Sequence, residues 1–254
     1  MKDAVGRLLN GLRVTFLGGL SLFWLAPIIP LIVIVPEFVQ HVAEINMGMF
    51  ASEDAFNALA NDPQRWAVGY AKAAGVLLSA LAAARFIGGA GKRWWDLRTI
   101  AWKQFLIALA LNIGVAIIGY LIQQAMGGEV PLALYYAFQI ATLPLLIYLV
   151  GPLWGDTRMT LRRAYTIGWI ATLFAAFLSL IAWGPAQLLH QYNHTLAMGQ
   201  SDAVVWALMV WDSLLVGLMS CWMGAALAAG YWLGRPPPAE SSDQAVGVSE
   251  RRTA

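Results

Sequence analysis

The feature that most constrains this chain is a series of apolar runs, each roughly 20 residues long, separated by short polar stretches. A helix of roughly 20 residues crosses a ~30 Å hydrocarbon core. Transmembrane β-strands would instead alternate polar and apolar residues over about ten positions, and these runs do not. Composition agrees: 59% of residues are hydrophobic and 12% are charged, about half the charged fraction of a soluble domain. The expected fold class is all-α, a polytopic helical membrane protein with six transmembrane helices.

The spans are expected at about 14–35, 66–87, 100–122, 132–153, 167–183 and 211–233. Residues 1–234 then form one transmembrane domain, and the Ser-, Pro- and Ala-rich tail 235–254 reads as disordered and cytoplasmic. The first run is too long for a signal-peptide core and no small-residue cleavage site follows it, so it reads as a retained span. Pro27 and Pro30 predict a kink within it. Pro36 to Arg65 and Ala186 to Asp202 read as polar connections, the fifth span ending at Gly184-Pro185. Gly127-Gly128-Glu129 reads as a tight turn. The last apolar run, Ala203 to Leu233, is too long for one upright span and implies a tilt or an end outside the hydrocarbon.

Charge gives orientation. All sixteen Lys and Arg except Arg65 and Lys72 fall in the N-terminus, the second–third loop, the fourth–fifth loop and the tail. The positive-inside rule then places both termini in the cytoplasm, which requires an even number of spans. The expected location is a bacterial inner membrane. Net charge is +2 and the basic residues are scattered, which gives nucleic-acid binding no support. A single cysteine, Cys221, rules out an intramolecular disulfide.

Internal similarity is also present. The offset that carries Leu12-Arg13 onto Leu161-Arg162 also carries Gly19 onto Gly168, Pro36 onto Pro185, His41 onto His190 and Gly75 onto Gly224. Leu97-Arg98 opens the central hairpin in the same way. The pattern is that of a parallel hairpin repeat. Small residues recur every fourth position in the second span (Ala71, Gly75, Ser79, Ala83) and in the sixth (Ser220, Gly224, Ala228). Such ridges let helix backbones approach closely in lipid, so these two spans are expected to pack together, related by a pseudo-twofold.

Three sets of residues are candidates for function. Lys92, Arg93, Arg98, Arg158, Arg162 and Arg163 lie in Trp-rich elbows, where anionic lipid headgroups would be attracted by about 1 kcal/mol per basic residue. Setting topology alone would also explain them. Lys72 and Asp212 are ionisable groups inside apolar runs and are expected either to pair beside a cavity or to sit at the interface. His41, His190 and His194 all follow spans on the outer side. His190 and His194, like Glu37 and His41, are spaced i, i+4 on one helix face. Histidines and carboxylates are the ligand types of a zinc site, although a bare HxxxH lacks a defined third ligand. Asn112 and Gln139 are expected to hydrogen-bond across the central hairpin. No phosphate loop, nucleophile set or carboxylate relay is readable. No catalytic residue and no cofactor is therefore assigned.

At the fourth–fifth elbow, Pro152, Asp156, Leu161-Arg162-Arg163-Ala164-Tyr165 and Trp169 resemble a group of bacterial six-span proteins. The group includes the YciC-type membrane proteins and the membrane domain attached to some glycerophosphodiester phosphodiesterases. The match covers about twenty residues. The basic Trp94-Trp95 loop and the acidic first outer connection depart from it. The resemblance implies an all-helical integral membrane fold and carries over no catalytic residue. The expected role is a non-enzymatic scaffold or envelope/lipid-homeostasis factor whose partners are membrane lipids, anionic ones included. The alternative is a small-molecule transporter or channel subunit.

Overall fold

A computed structural model describes residues 2–90, 93–125 and 132–234. The tight turn expected at Gly127-Gly128-Glu129, the tail 235–254 and Lys92 lie outside the described residues. The helices are α1 Lys2–Arg13, α2 Gly19–Leu25, α3 Ile28–Asn46, α4 Glu53–Leu59, α5 Pro63–Arg85, α6 Trp102–Ala125, α7 Leu132–Thr142, α8 Pro144–Leu153, α9 Leu161–Thr166, α10 Trp169–Ala197 and α11 Asp202–Leu233. The fold is all-α and polytopic, with no strand among the described residues.

Seven of the described helical segments are long and apolar enough to cross a membrane. The first two, Val5–Leu25 and Ile28–Asn46, lie end to end along α11. Gly11 abuts Leu233, and Gly19 abuts Cys221 and Trp222. The Trp222 indole donates to the Phe16 carbonyl at 3.1 Å, Ile34 packs over Gly217, and Phe38 meets Trp206 with ring centroids 6.2 Å apart. Successive contacts of the two segments thus step backwards along α11, as in one kinked crossing. The break falls at Ala26 (φ −152°, ψ 64°) and Pro27, where the ring removes a donor and restricts the residue before it. A second break, at Thr142–Leu143 before Pro144, divides the fourth span into α7 and α8.

Two boundaries differ from the sequence expectation. Helix α3 continues through Pro36 to Asn46, and α10 through Pro185 to Ala197. A proline inside a helix frees one carbonyl, and the packing here absorbs it. The Ile32 carbonyl, which Pro36 leaves without its helical donor, faces Gly75, where a Cβ would come within 2.9 Å of it. The polar residues beyond each proline turn into the bundle instead of out to water.

Small residues set the packing, since apolar burial against apolar lipid gives little drive. A Cβ on Gly224 would collide with the Ala80 carbonyl and with Ala83, so α5 and α11 touch backbone to backbone. This is the expected contact of the second and sixth spans. Gly230 sits against Ala175 in the same manner and joins α11 to α10. Ser79 donates to the Ile29 carbonyl at 2.9 Å and ties α5 to α3. Asn112 reaches the Leu145 carbonyl at 3.1 Å and links α6 to α8, whereas Gln139 bonds Tyr135. The expected Asn112–Gln139 bridge does not form, because a backbone carbonyl of α8 lies nearer to Asn112. The twofold is incomplete as well. Helix α3 packs along α11, but its counterpart pairing of α5 with α10 is opened by a groove.

Candidate functional site: a buried histidine–carboxylate cluster beside a groove

Helix α11 has 32 residues and runs about 48 Å at 1.5 Å per residue. A ~30 Å hydrocarbon slab ending at Leu233 therefore reaches back to the turn that carries Asp212. Trp66 and Trp211, half exposed at the same level, fit an interfacial aromatic belt. Polar residues gather here from four helices.

From α3, the residues at helical spacing Glu37, Gln40, His41 and Glu44 all point inward and all are buried. From α10 come His190, Asn193 and His194, and from α11 Asp212. Arg65 and Lys72 arrive from α5. These are the two basic residues that the charge count leaves on this side, and both are spent here. Arg65 Nε donates to Glu44 Oε1 at 2.8 Å, and Lys72 Nζ donates to Glu37 Oε1 at 2.8 Å. Gln40 Nε2 adds a second donor to Glu44 Oε1 at 2.8 Å.

Asp212 lies at the centre. Its Oδ1 accepts from Asn193 Nδ2 at 2.7 Å. Its Oδ2 lies 2.6 Å from His190 Nδ1, 3.2 Å from His41 Nε2 and 3.6 Å from His194 Nε2. A carboxylate only accepts, so His190 carries its proton on Nδ1. Its Nε2 lone pair then faces Lys72 Nζ at 3.5 Å and the groove. The expected direct Lys72–Asp212 pair is not formed. Glu37 takes the Lys72 ammonium, and Asp212 is occupied by the histidines and Asn193.

His41 is enclosed on both ring nitrogens. Nδ1 lies 2.9 Å from Glu44 Oε2, and Nε2 lies 3.2 Å from both Glu37 Oε1 and Asp212 Oδ2. With acceptors at both ends, the ring needs a positive centre on each side: a second ring proton, or a cation at Nε2. A second proton would let His41, Arg65 and Lys72 balance the three buried carboxylates. Among these buried side chains, Glu37 Oε2, Gln40 Oε1 and His194 Nε2 have no hydrogen-bond partner.

The segment after α3 closes the cluster from above. The rings of Phe50 and Phe56 lie 5.8 and 5.9 Å from that of His194. Arg65 also holds the Ala60 carbonyl at 2.9 Å. Gly199, in the turn between α10 and α11, has φ +70° and donates to the Phe50 carbonyl at 2.9 Å. That backbone conformation favours glycine.

Beside the cluster, between α5 and α10, is a groove of about 410 Å³, within the size range of small-molecule sites. Gln40, Arg65, Lys72, Gln187 and His190 supply its polar lining, and Trp66, Val76, Trp183, Val216 and Met219 its apolar lining. The carboxylates stand behind the cations and do not line it.

The five described candidate headgroup residues belong to the opposite end. Arg93, Arg98, Arg158, Arg162 and Arg163 are exposed. Arg98 and Arg158 lean on the aspartate two positions before them, Asp96 at 3.0 Å and Asp156 at 3.5 Å. The Arg98 guanidinium holds the Asp96 carboxyl below its usual range. The elbows are also firmly seated. Buried Arg85 donates to the carbonyls of Trp94 (2.7 Å), Leu153 (2.6 Å) and Asp96 and to Thr99 Oγ1 (2.6 Å). Tyr231 donates to Asp156 at 2.9 Å, and the Trp154 indole donates to the Ala84 carbonyl at 3.2 Å.

The structure thus brings His41, His190, His194 and Asp212 together, with Lys72 one residue removed through Glu37. Gln40, Glu44, Arg65 and Asn193 were not singled out as site residues. The signal for them was the polar stripe Glu37, Gln40, His41, Glu44, which has helical spacing within a stretch read as a loop. No protein-family model matches this chain, and neither a curated protein nor a solved structure does so.

Proposed function

We propose that the chain binds a small amphiphilic molecule with an acceptor-rich head, such as a phosphate or carboxylate, in the groove between α5 and α10, as a carrier or transporter subunit does. The observation that carries this reading is the make-up of the groove. Its charged lining is Arg65 and Lys72, which donate and supply no acceptors. The rest of its lining is largely aromatic and aliphatic. Both cations keep N–H groups beyond the one that each gives to its carboxylate. The groove sits at the level of the hydrocarbon margin, where an amphiphile places its head.

The Lys and Arg distribution supports an orientation with both termini in the cytoplasm of a bacterium and the groove at the outer face of its inner membrane. A scaffold or lipid-homeostasis role through the basic elbows is the second reading, favoured by the exposed Arg93, Arg162 and Arg163. It is weakened by the neutralising contacts of Arg98 and Arg158.

The test fills the groove without touching its charges. Ala73→Phe and Gly69→Leu place bulk in the groove, and the ion pairs remain. A fluorescent single-chain phosphatidylglycerol titrated into protein in neutral-lipid nanodiscs should bind saturably to the unmodified chain. The filled variants should bind about tenfold more weakly, a change of about 1.4 kcal/mol. Absence of saturable binding, or equal affinity in the filled variants, would contradict the reading. Weakening by charge reversal at Arg93, Arg162 and Arg163 instead would favour the elbows.

A further inference from the structure

We infer that His41, His194 and Asp212 form a binding site for a divalent transition-metal ion, with zinc as its chemical match. The inference does not depend on what the groove binds.

The first argument is spacing. Four ligands about 2.0–2.1 Å from a tetrahedral zinc ion stand about 3.3–3.4 Å apart. His41 Nε2 lies 3.2 Å from Asp212 Oδ2, and His194 Nε2 lies 3.6 Å from Asp212 Oδ2. One ligand atom from each of His41, His194 and Asp212 can be chosen so that all lie within 4.8 Å of one another. The distance from His190 Nδ1 to Asp212 Oδ2, 2.6 Å, is that of a hydrogen bond and too short for two ligands of one tetrahedral ion. His190 is therefore a support for Asp212 and not a ligand.

The second argument is an orphaned polar atom. His194 is 7% exposed, yet its Nε2 has no hydrogen-bond partner, Asp212 Oδ2 standing 3.6 Å away. A second proton on His41 would satisfy His41 but do nothing for His194. A cation at His194 Nε2 satisfies it, and buried polar atoms without partners are costly.

The third argument is the shell behind the ligands. Histidine ligands usually give their other N–H to a carboxylate, which fixes the metal-binding nitrogen. His41 does so through Nδ1 to Glu44, 2.9 Å away, and Glu44 is held in turn by Arg65 and Gln40. Asn193 holds the second oxygen of Asp212. Nitrogen and carboxylate oxygen at tetrahedral spacing suit zinc better than calcium or magnesium, which take six or more oxygen ligands. None of the three ligands lines the groove, and the rings of Phe50 and Phe56 cover His194. The ion therefore pins α3, α10 and α11 at their outer ends, away from the groove. Arg65 and Lys72 stand between it and the groove, their side chains 19% and 22% exposed, so the added positive charge faces solvent.

The test uses the full chain, purified with a tag that contains no histidine. Elemental analysis should find about one equivalent of zinc or a neighbouring first-row metal. His194→Gln and Asp212→Asn should lower that content by about tenfold or more, whereas Glu53→Gln on the exposed α4 should leave it unchanged. Because a ligand variant can misfold, the unmodified chain is also stripped and titrated with cobalt, which should give the intense visible absorption of a tetrahedral site. A monodisperse unmodified chain that takes up neither zinc nor cobalt would overturn the inference. So would an octahedral cobalt spectrum, or a metal content equal in His194→Gln and in the unmodified chain.

Discussion

Lys72 Nζ lies 2.8 Å from Glu37 Oε1, 35 positions earlier in the chain. This pair joins α5 to α3 at the level where the polar cluster begins. It also determines which face of Lys72 reaches the groove. Glu37 is fully buried and Lys72 only partly so, so the carboxylate depends on the pair more than the ammonium does. Removing one partner of a buried pair strands the other charge, whereas removing both does not.

A double-mutant cycle follows from that asymmetry. Glu37→Gln and Lys72→Met should each destabilise the protein, Lys72→Met by about 3 kcal/mol. The double variant should cost clearly less than the sum of the two. Unfolding midpoints in detergent give the coupling. Simple additivity would show that the two side chains do not share the interaction.

Glycine substitutions separate contact from propensity. Gly224→Ala forces a Cβ into the Ala80 carbonyl and Ala83. It should destabilise by about 1–3 kcal/mol, the usual cost of overpacking. Gly114→Ala meets nothing within 4 Å and should stabilise α6 by up to about 1 kcal/mol. Thermal midpoints of the two variants, measured side by side, check the opposite signs.

Arg85 organises the end of the molecule that carries the elbows. Arg85→Met removes the donors that the guanidinium gives to the carbonyls of Trp94, Asp96 and Leu153. Arg85→Lys cannot span all of them, because an ammonium lacks the planar fork. Both variants should increase proteolysis between residues 93 and 99 several-fold, Met more than Lys, while binding in the distant groove stays unchanged. Equal protease sensitivity in the unmodified chain would contradict the anchoring role.

Much of this architecture was legible in the sequence because lipid imposes simple rules. Runs of apolar residues marked the helices. The small residues around Gly75 and Gly224 marked close packing, with Gly224 meeting α5 and Gly75 turning out to face α3. The spacings Glu37–His41 and His190–His194 placed polar groups on single helix faces. Two things were hidden. Pro36 and Pro185 read as ends of spans, although a proline removes only one hydrogen bond and neighbouring backbone can accommodate the loss. That misreading placed Glu44 and Asn193 in loops. The convergence on Asp212 was hidden for a different reason: it needs α3 laid along α11, a contact between residues far apart in the chain. The pairing of Lys72 with Glu37 instead of Asp212 depends on the same contact.

The central claim is that a groove beside the cluster opens on the outer face of the membrane. Thiol labelling in intact cells tests it most directly, since the single native cysteine, Cys221, is fully buried and should stay silent. Gly69→Cys and Ala73→Cys should react with a membrane-impermeant maleimide added to intact cells, and Arg163→Cys only after the membrane is permeabilised. Reaction of Arg163→Cys in intact cells, with Ala73→Cys silent until permeabilisation or silent throughout, would contradict the account.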